Sequence, residues 1–367
     1  MVASAEIFEG SVLTRYWHAL ADGRVQCDVC PRFCKLHPGQ RGLCFVRANR
    51  DGAIVLTTYG RSSGFCVDPV EKKPLNHFLP GTPVLSFGTA GCNLSCQFCQ
   101  NWDISKSRDW DRLTDRASPE AIARAARDLG CRSVAFTYND PVIFLEYAND
   151  VADACHAVGV AAVAVTAGYM TDAARRDFFS HLDAANVDLK AFTDDFYRRI
   201  CGGRLEPVKE TLVYLRRETK LWFEITTLLI PGENDANGEL EALSAWVASA
   251  LGPDVPLHFT AFHPDWRMRD IAPTSPATLA RAREIAKSHG LRYVYTGNVH
   301  DETGGSTYCP GCGARVVGRD GYEITDWRLD AAGRCAACGT AIAGRFEARP
   351  GSWGGRCLPV RLADYAG

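Results

Sequence analysis

The sequence predicts an α/β protein built on a parallel sheet, and three observations support this fold class. From residue 82 to 300, short apolar strands alternate with helical stretches, which is the pattern of βα units. The strands are mostly continuous apolar runs, as expected when both faces of a sheet are covered. Eleven of the 16 cysteines fall into three groups that divide the chain. The pattern alone fits an open doubly wound sheet as well as a barrel.

The elements follow in a regular order. The first strand of the alternating region leads straight into the central cysteine group. A helix is predicted to begin with Ser118 as N-cap and Pro119 at its first position, and another begins in the same way at Ser275 and Pro276. A further helix is predicted over residues 144–158. Strands are predicted at 84–87, 134–137, 160–165, 187–190, 221–230, 257–262 and 292–295.

Composition narrows the classes of protein that the chain can represent. Hydrophobic residues make up 46% and charged residues 23%, as in ordinary globular proteins. A formal charge of −2 gives no field that would attract nucleic acid or an anionic membrane. There is no run of 18 apolar residues, and residues 1–10 lack the features of a signal peptide. We therefore expect a cytoplasmic protein whose clustered cysteines bind metals and do not form disulfides.

The central group is Cys92, Cys96 and Cys99, with C-x3-C-x2-C spacing. A [4Fe–4S] cluster is ordinarily held by four cysteines, so three would leave one iron open for a small chelating molecule. The group follows the first strand, and in parallel α/β folds the chemistry lies at the carboxyl ends of strands. The alternatives are a zinc loop with a distant fourth ligand and three unrelated core cysteines.

The carboxyl-terminal cysteines have the spacing of a zinc ribbon. Two C-x2-C pairs are separated by 22 residues, and glycine follows the second cysteine of each pair. Four thiolates leave no open position on the ion, so a structural role is expected, with rubredoxin-like iron as the alternative metal. Binding of nucleic acid is weakly supported, because the basic residues of this segment lack an aromatic stacking row. The four residues are Cys309, Cys312, Cys335 and Cys338.

The amino-terminal cysteines are expected to bind one metal centre. A zinc knuckle and an auxiliary Fe–S cluster fit the spacing equally well, and His37 is a possible substitute ligand. The charged segment 68–78 that follows is interpreted as an extended lead-in with a solvated face. The four residues are Cys27, Cys30, Cys34 and Cys44.

The remaining cysteines carry less information. Cys131 opens an apolar strand and Cys155 lies on an apolar helix face, so both are interpreted as core residues. Cys66, Cys201 and Cys357 have no assigned role.

Polar residues near the ends of later strands are candidates for a binding site. Alternation places Asp188 and Lys190 on one face of their strand, where a structural ion pair is the alternative. Asp140 precedes a proline, so a simple Asx turn is the alternative there. Glu224 is predicted to reach the barrel interior, and His263 ends a later strand, where a plain loop histidine is the alternative.

The central loop, Gly91 to Trp102, closely resembles that of the radical S-adenosylmethionine (SAM) enzymes. This resemblance implies a partial (β/α)6-type barrel and favours it over an open doubly wound sheet. It also implies that the amino and carboxylate groups of SAM bind the open iron, and that reductive cleavage of SAM gives a 5′-deoxyadenosyl radical. The radical would then abstract hydrogen from a substrate that the sequence does not identify.

The resemblance further implies which residues contact SAM. Asn139 and Asp140 stand where many radical SAM enzymes have Gly-Gly-Glu before a proline. Thr166 begins a Thr-Ala-Gly-Tyr run where relatives commonly have Thr-Asn-Gly-Tyr. Asp188 with Lys190, and His263 within Phe-His-Pro, are similar to SAM-contacting motifs of glycyl-radical activating enzymes. Glu224 is included among the predicted SAM-binding residues.

Nearly the whole chain resembles one family, the AmmeMemoRadiSam radical SAM enzymes, which are relatives of pyruvate formate-lyase activating enzymes. The shared features are Cys-x2-Cys-Pro-x2-Cys, Asp-Pro-x-Glu-Lys-Lys-Pro-Leu, the cluster loop with Gln-Asn, and a terminal four-cysteine ribbon. The resemblance implies Memo-type and Ammecr-type partners, and the chemistry calls for an electron donor such as flavodoxin or ferredoxin. No membrane partner is expected. The expected domains are a metal module with its lead-in (1–80), the barrel (81–300) and the ribbon (301–367).

Two other functions remain open at this stage. One is a glycyl-radical enzyme activase, although ordinary activases lack both outer cysteine groups. The other is a non-catalytic metal-binding adaptor or redox sensor, which the changes in the Gly-Gly-Glu and Thr-Asn-Gly-Tyr motifs would allow.

Overall fold

The computed structural model describes residues 11–108, 113 and 115–365, and is built around a nine-stranded sheet. The first ten residues, where no signal peptide is expected, lie outside the described part. Numbered along the chain, the strands lie in the order β8-β7-β6-β5-β4-β3-β2-β1-β9 across the sheet. They are β1 (Phe65–Pro69), β2 (Pro83–Phe87), β3 (Ser133–Phe136), β4 (Ala161–Thr166), β5 (Ala184–Asp188), β6 (Trp222–Leu229), β7 (Leu257–Ala261), β8 (Val294–Gly297) and β9 (Leu358–Val360).

Strands β2 to β8 are mutually parallel, whereas β1 and β9 extend the sheet in antiparallel pairing. Among the described residues no pairing joins β8 to β9, so the sheet is an open, partial barrel. The predicted α/β fold class is confirmed. The helices are α1 (Trp102–Ser105), α2 (Pro119–Asp128), α3 (Leu145–Ala157), α4 (Asp172–Ser180), α5 (Asp194–Phe196), α6 (Glu206–Glu218), α7 (Asn237–Trp246), α8 (Pro276–Ser288) and α9 (Glu302–Gly305).

Helix starts follow the local sequence. The Ser118 side chain accepts a hydrogen bond from the backbone N–H of Ala121, and Ser275 does the same for Thr278. Each serine satisfies an N–H that the first turn of a helix leaves without a partner. Short π-helical turns, Tyr197–Cys201 and Val247–Leu251, continue α5 and α7, and single 3-10 turns span Val70–Lys72, Pro141–Phe144 and Leu362–Tyr365.

The two faces of the parallel strands pack against different partners. Phe87 and Phe136 pack in the main core, where Phe87 contacts Phe144 and Tyr147 at the start of α3. The alternate residues of these and neighbouring strands pack on the lead-in (68–78), most of which lies between β1 and β2. This second cluster contains Val70, Leu75, Phe78, Val84, Ala135, Val163 and Ala184. The lead-in therefore covers one face of the sheet close to the amino ends of its strands.

The prediction of a solvated lead-in was wrong. Asp68, Glu71 and Lys73 are buried, with relative exposures of 0, 6 and 2%. Lys73 Nζ lies 2.7 Å from Asp68 Oδ2, and the backbone N–H of Gly81 donates to Glu71 Oε1 at 2.7 Å. Burial of these charges is possible because each finds a partner within the fold.

Small antiparallel sheets are formed by the segments that precede and follow the barrel along the chain. The ribbon strands are Thr307–Tyr308, Arg315–Asp320 and Glu323–Trp327. Their core includes Tyr293 and Tyr295, so the ribbon packs directly on the β8 region. The amino-terminal strands are Val12–Leu13, Trp17–Ala19, Val25–Cys27, Lys35–Leu36, Arg47–Arg50, Ala53–Leu56 and Arg61–Ser62, of which the last pairs with Asp115–Arg116.

Two strands of the central sheet were not predicted. β1 lies inside the segment predicted as the amino-terminal module, and β9 lies in the segment predicted as the ribbon domain. β9 contains Pro359, which is tolerated because this strand lies at the edge of the sheet. Among the described residues, no helix is long and apolar enough to span a membrane.

Candidate functional site

A cavity of about 280 Å³ lies where the parallel strands end. The thiol-bearing residues Cys92, Cys96 and Cys99 line one side of it. Polar residues that follow or end β3 and β5 line another part of it, together with Lys72 of the lead-in. They include Tyr138, Asn139, Asp140, Asp188 and Lys190. The three predicted cluster ligands and four of the predicted SAM contacts therefore share one cavity.

The cysteine loop is fixed to the barrel by hydrogen bonds at three points. Asn93 Nδ2 donates to the carbonyl oxygen of Tyr169 at 2.9 Å. The backbone N–H groups of Ser95 and Gln97 donate to the carbonyl oxygens of Cys201 and Ile200, at 2.9 and 3.0 Å. These hydrogen bonds hold the loop at a defined position on the barrel.

The electrostatic surroundings of the loop differ from one thiol to another. Contact with the Cys201 thiol lowers the pKa of Cys96 to about 6, although burial opposes the shift. The ammonium groups of Lys190 and Lys106 lower this pKa further. Burial raises the pKa of Cys92 to about 12.

These thiols fit a [4Fe–4S] cluster with one open iron. Three cysteines of one loop face the cavity, and the buried thiol of Cys96 needs a cationic partner once it is deprotonated. Cys201 is a further thiol beside the loop. It is fully buried and is not part of the cavity wall.

The Asp140 carboxylate, which lines the cavity, accepts three hydrogen bonds. It accepts hydrogen bonds from Thr166 Oγ1 at 2.8 Å and from the backbone N–H groups of Val142 and Ala167 at 3.2 and 3.3 Å. The Asx-type contact with Val142 is therefore present alongside the contact across to β4. Burial is the largest influence on its carboxyl group and raises the pKa of Asp140 to about 6.

Asn139 and Thr166 have supporting positions. Asn139 Nδ2 donates to the carbonyl oxygen of Gly91 at 2.7 Å, and its Oδ1 accepts from the N–H of Thr89 at 3.2 Å. It connects the end of β3 to the start of the cysteine loop. Thr166 is buried and reaches the site through Asp140.

Asp188 and Lys190 form an ion pair at the cavity wall, with 2.8 Å between Lys190 Nζ and Asp188 Oδ2. β5 ends at Asp188, so Lys190 lies just beyond the strand. The backbone N–H of Lys190 donates to Tyr197 Oη at 3.0 Å, and Asn234 Nδ2 donates to the backbone carbonyl oxygen of Lys190 at 2.8 Å. Asp188 and Lys190 therefore form an ion pair and also line the cavity.

The structure does not bring Glu224 or His263 to the cavity wall. The fully buried Glu224 carboxylate accepts from the N–H groups of Asn76 and His77, at 3.1 and 2.7 Å. It also lies 2.6 Å from His258 Nε2 and accepts from the indole N–H of Trp222. Glu224 thus fastens the lead-in to β6 and β7. His263 is exposed, and neither residue is included among the SAM ligands proposed below.

The cavity residues that sequence reasoning missed include Lys106, Tyr138 and Lys72. Lys106 Nζ donates to the carbonyl oxygen of Leu94 at 2.9 Å and contributes positive charge beside the thiols. Tyr138 adopts a left-handed backbone conformation with φ of +70°, and its hydroxyl donates to Asp68 Oδ2 at 3.1 Å. Lys72 belongs to the lead-in. The many charged residues of the lead-in were the one sequence signal for a role at the cavity, and they were interpreted as a solvated surface.

The outer cysteine groups have different geometries. In the ribbon, the four Sγ atoms of Cys309, Cys312, Cys335 and Cys338 all lie within 4.8 Å of one another, which suits a tetrahedral metal site. The amino-terminal cysteines line a small, mainly apolar cavity that Asn93 of the cluster loop also lines. His37, the possible substitute ligand, is exposed and is not part of this wall. The amino-terminal group is Cys27, Cys30, Cys34 and Cys44.

Comparison with known proteins identifies a superfamily and one relative that this chain matches. Residues 87–243 match the radical SAM superfamily. The chain is also 37% identical, over 328 residues, to the uncharacterized protein MJ0808 of Methanocaldococcus jannaschii, and the match covers 89% of this chain and 97% of the relative.

Two solved structures illustrate the likeness in fold. A domain of a pyruvate-formate lyase-activating enzyme from Bacteroides vulgatus is 17% identical, with a TM-score of 0.41, and the match covers 45% of this chain and 99% of that domain. A radical SAM methyltransferase from Sphaerobacter thermophilus is 16% identical, with a TM-score of 0.48, and the match covers 60% of this chain and 67% of that enzyme.

Proposed function

Because the chain belongs to the radical SAM superfamily, in one family with protein MJ0808, we propose that it cleaves SAM reductively and abstracts hydrogen from a substrate. Membership of the superfamily implies a [4Fe–4S] cluster and SAM as cofactors. A reduced cluster bound at Cys92, Cys96 and Cys99 would supply the electron that releases a 5′-deoxyadenosyl radical from SAM. The observation that carries the proposal is the single cavity lined by these three thiols and by polar groups suited to SAM.

The cavity offers a complementary partner for each charged end of the methionine part of SAM. The Asp140 carboxylate suits the ammonium group, with which it would form a charge-assisted hydrogen bond. The Lys190 ammonium suits the carboxylate group. Thr166 and Asn139 act as positioning residues, because they orient Asp140 and the start of the loop.

The wall of the cavity also serves to exclude water from the radical. Leu94, Phe98, Val165 and Leu228 supply its apolar portions. A highly reactive carbon radical is protected by such surroundings, since the cofactor performs the difficult chemistry and the protein orients and shields it.

We further propose that the chain is an AmmeMemoRadiSam radical SAM enzyme, as its shared motifs suggest. Its ribbon would hold a structural zinc ion, and its amino-terminal cysteines either zinc or an auxiliary Fe–S cluster. Flavodoxin or ferredoxin would deliver electrons, and Memo-type and Ammecr-type proteins are the proposed partners.

One experiment tests the enzymatic proposal directly. The protein is reconstituted with iron and sulfide without oxygen, reduced with dithionite and mixed with SAM, and 5′-deoxyadenosine is measured. We expect product from the native chain and none from Cys92→Ala. Failure of the native chain to form product despite a full cluster would refute the proposal. A glycyl radical signal on a partner protein, measured by electron paramagnetic resonance, would assign the enzyme to the activases.

A further inference from the structure

We propose that Cys66 and Cys357 are a redox-active pair that forms a reversible disulfide between β1 and the segment entering β9. Their Sγ atoms are 2.9 Å apart, although the residues are separated by 291 positions in the sequence. This inference does not depend on the proposed function, since it concerns thiols outside the SAM cavity.

The backbone brings these thiols together. In the antiparallel pairing of β9 with β1, Leu358 lies opposite Val67 and Pro359 lies opposite Cys66. Continuing this register places Cys357 opposite Asp68, on the same face of the sheet as Cys66 because side chains alternate along a strand. The two sulfurs are diagonal neighbours, and the sheet hydrogen bonds hold them there without a covalent bond.

The pair is accessible, unlike the core cysteines. Cys357 is exposed and Cys66 is partly exposed, whereas Cys131 and Cys155 are buried. Reagents in solution can therefore reach Cys357. Cys131 supplies a matched control, since its thiol also lies outside the three predicted metal groups.

The two thiols differ in exposure, which sets the order of attack. Cys357 is exposed, whereas Cys66 is only partly exposed, and burial is the main cause that raises the pKa of the Cys66 thiol to about 12. Cys357 is thus the thiol that a reagent reaches first, and Cys66 is suited to the second step.

A metal ion is the competing explanation, because the ligand atoms of Cys66, Asp68 and Cys357 lie within 4.8 Å of one another. The charges oppose it. The Asp68 carboxylate is already paired with Lys72 at 2.9 Å and Lys73 at 2.7 Å, and it accepts a hydrogen bond from Tyr138 at 3.1 Å. Two ammonium groups beside the ligands would repel a cation, whereas they do not hinder a neutral disulfide.

A low-molecular-weight disulfide such as oxidised glutathione would serve as the oxidant. The Cys357 thiolate attacks one of its sulfurs, breaks its S–S bond and releases one glutathione thiolate. The Cys66 thiol then loses its proton and attacks Cys357 Sγ, which releases the second glutathione thiolate. The two protein thiols are oxidised, and one disulfide is reduced to two thiols.

The pair is linked to the catalytic cavity by direct contacts. Cys357 Sγ donates to Asp68 Oδ1 at 3.0 Å, and Asp68 holds both Lys72 and Tyr138, which line the cavity. Disulfide formation removes the hydrogen that Cys357 donates to Asp68. The oxidation state of the pair is thereby connected to two residues of the cavity wall.

The test uses the full-length, metal-loaded protein without oxygen. It is incubated with oxidised glutathione or with dithiothreitol, alkylated, digested and analysed by mass spectrometry. With oxidised glutathione we expect a cross-linked peptide pair that contains Cys66 and Cys357, and with dithiothreitol two separately alkylated peptides. Cys131→Ala retains the cross-link. Cys66→Ser lacks it and accumulates glutathione on Cys357.

A second measurement does not depend on peptide recovery. The oxidised native chain and Cys131→Ala should each have a higher Tm than their reduced forms, because the bond closes a long loop. Cys66→Ser should show no such rise. Separate alkylation of both thiols after oxidation would overturn the proposal. So would a stoichiometric zinc ion that is lost in Cys66→Ser, since that would establish a metal site.

Discussion

Gly91, which directly precedes the first cluster cysteine, packs against the carbonyl oxygen of Cys44 in the amino-terminal module. A β-carbon built on Gly91 would overlap this oxygen. On the other side of Cys92, Arg32 Nε donates to the carbonyl oxygen of Asn93 at 2.9 Å. The amino-terminal module therefore supports the cluster loop on both sides of its first thiol.

This contact predicts a severe effect of Gly91→Ala. Gly91 has φ of +82°, a conformation that disfavours alanine by about 1–2 kcal/mol. Overlap with rigid backbone adds about 1–3 kcal/mol. We expect a loss of about 2–5 kcal/mol in the free energy of unfolding and a marked loss of iron from the reconstituted protein.

Gly130→Ala is the matched control. Gly130 has a similar φ of +69°, but a β-carbon there would have no neighbour within 4 Å. This variant should lose only about 1–2 kcal/mol and keep its iron. Urea unfolding and iron analysis measure both quantities. Equal behaviour of the two variants would mean that contact with Cys44 is unimportant.

Asp140 predicts a pH-dependent affinity for SAM. Burial raises its pKa to about 6, above the ordinary value of 3.8. Its contribution to stability is therefore complete below about pH 4 and is lost as the pH rises through about 6. Binding of the SAM ammonium favours the ionised carboxylate, so affinity should fall up to about tenfold per pH unit as the pH drops below about 6.

Asp140→Asn tests the assignment. Calorimetric titration of SAM into the cluster-loaded protein between about pH 5 and pH 8 should show weaker binding by Asp140→Asn, without this pH dependence. An unchanged pH profile in the variant would assign the titration to another group.

The predictable parts of the fold were those with local signals. The N-caps at Ser118 and Ser275 and the alternating apolar strands depend on neighbouring residues, and C-x-x-C spacing identifies a metal loop without knowledge of its surroundings. β9 could not be predicted in this way, because its pairing with β1 joins residues almost 300 positions apart.

The site was predictable to the same degree. Asp188 ends β5 and Lys190 lies just beyond it, so their position at the carboxyl end of the strand could be expected. Glu224 also occupies a strand, but its position along that strand determines whether it meets SAM or the lead-in. The backbone N–H groups of Asn76 and His77 occupy its carboxylate, and no local pattern indicates this long-range contact.

Removal of the positive charge of Lys190 should weaken the binding of SAM. Its ammonium is paired with Asp188 and lines the cavity. Lys190→Met keeps much of the apolar length and removes the charge, so the Kd for SAM should rise about tenfold, the equivalent of one charge-assisted hydrogen bond of about 1.4 kcal/mol. Equilibrium titration measures this change.

Lys287→Met controls for loss of a lysine charge. Lys287 lies on α8, with a side chain that is 43% exposed and paired with Glu284. Its replacement should leave the Kd unchanged. An unchanged Kd in Lys190→Met as well would place the SAM carboxylate elsewhere.

The metal ion of the ribbon should be lost independently of the iron at the central cysteine loop. Cys309 is buried in the ribbon core with Tyr293 and Tyr295 of the β8 region. Cys309→Ser should lose the bound zinc and lower the Tm, because metal binding stabilises the fold of such modules. Iron content at the central loop should persist. Elemental analysis distinguishes this result from a loss of both metals, which would indicate general unfolding.

The amino-terminal module is attached to the barrel by a buried ion pair, which predicts a large effect of its disruption. Arg47 Nη1 donates to Glu146 Oε1 at 3.2 Å, and Arg47 Nε donates to the carbonyl oxygen of Ile143 at 2.9 Å. The two side chains are only 2 and 8% exposed. Glu146→Gln would leave a buried guanidinium without its counter-charge, so the free energy of unfolding should fall by about 3–5 kcal/mol.

Glu347→Gln provides the exposed counterpart. Glu347 pairs with Arg132, and their side chains are 40 and 48% exposed, so its loss should cost less than about 1 kcal/mol. Urea unfolding of both variants measures the difference. If Glu146→Gln is as mild as Glu347→Gln, solvent reaches Arg47, and the module is held on the barrel chiefly by its contacts with the cluster loop.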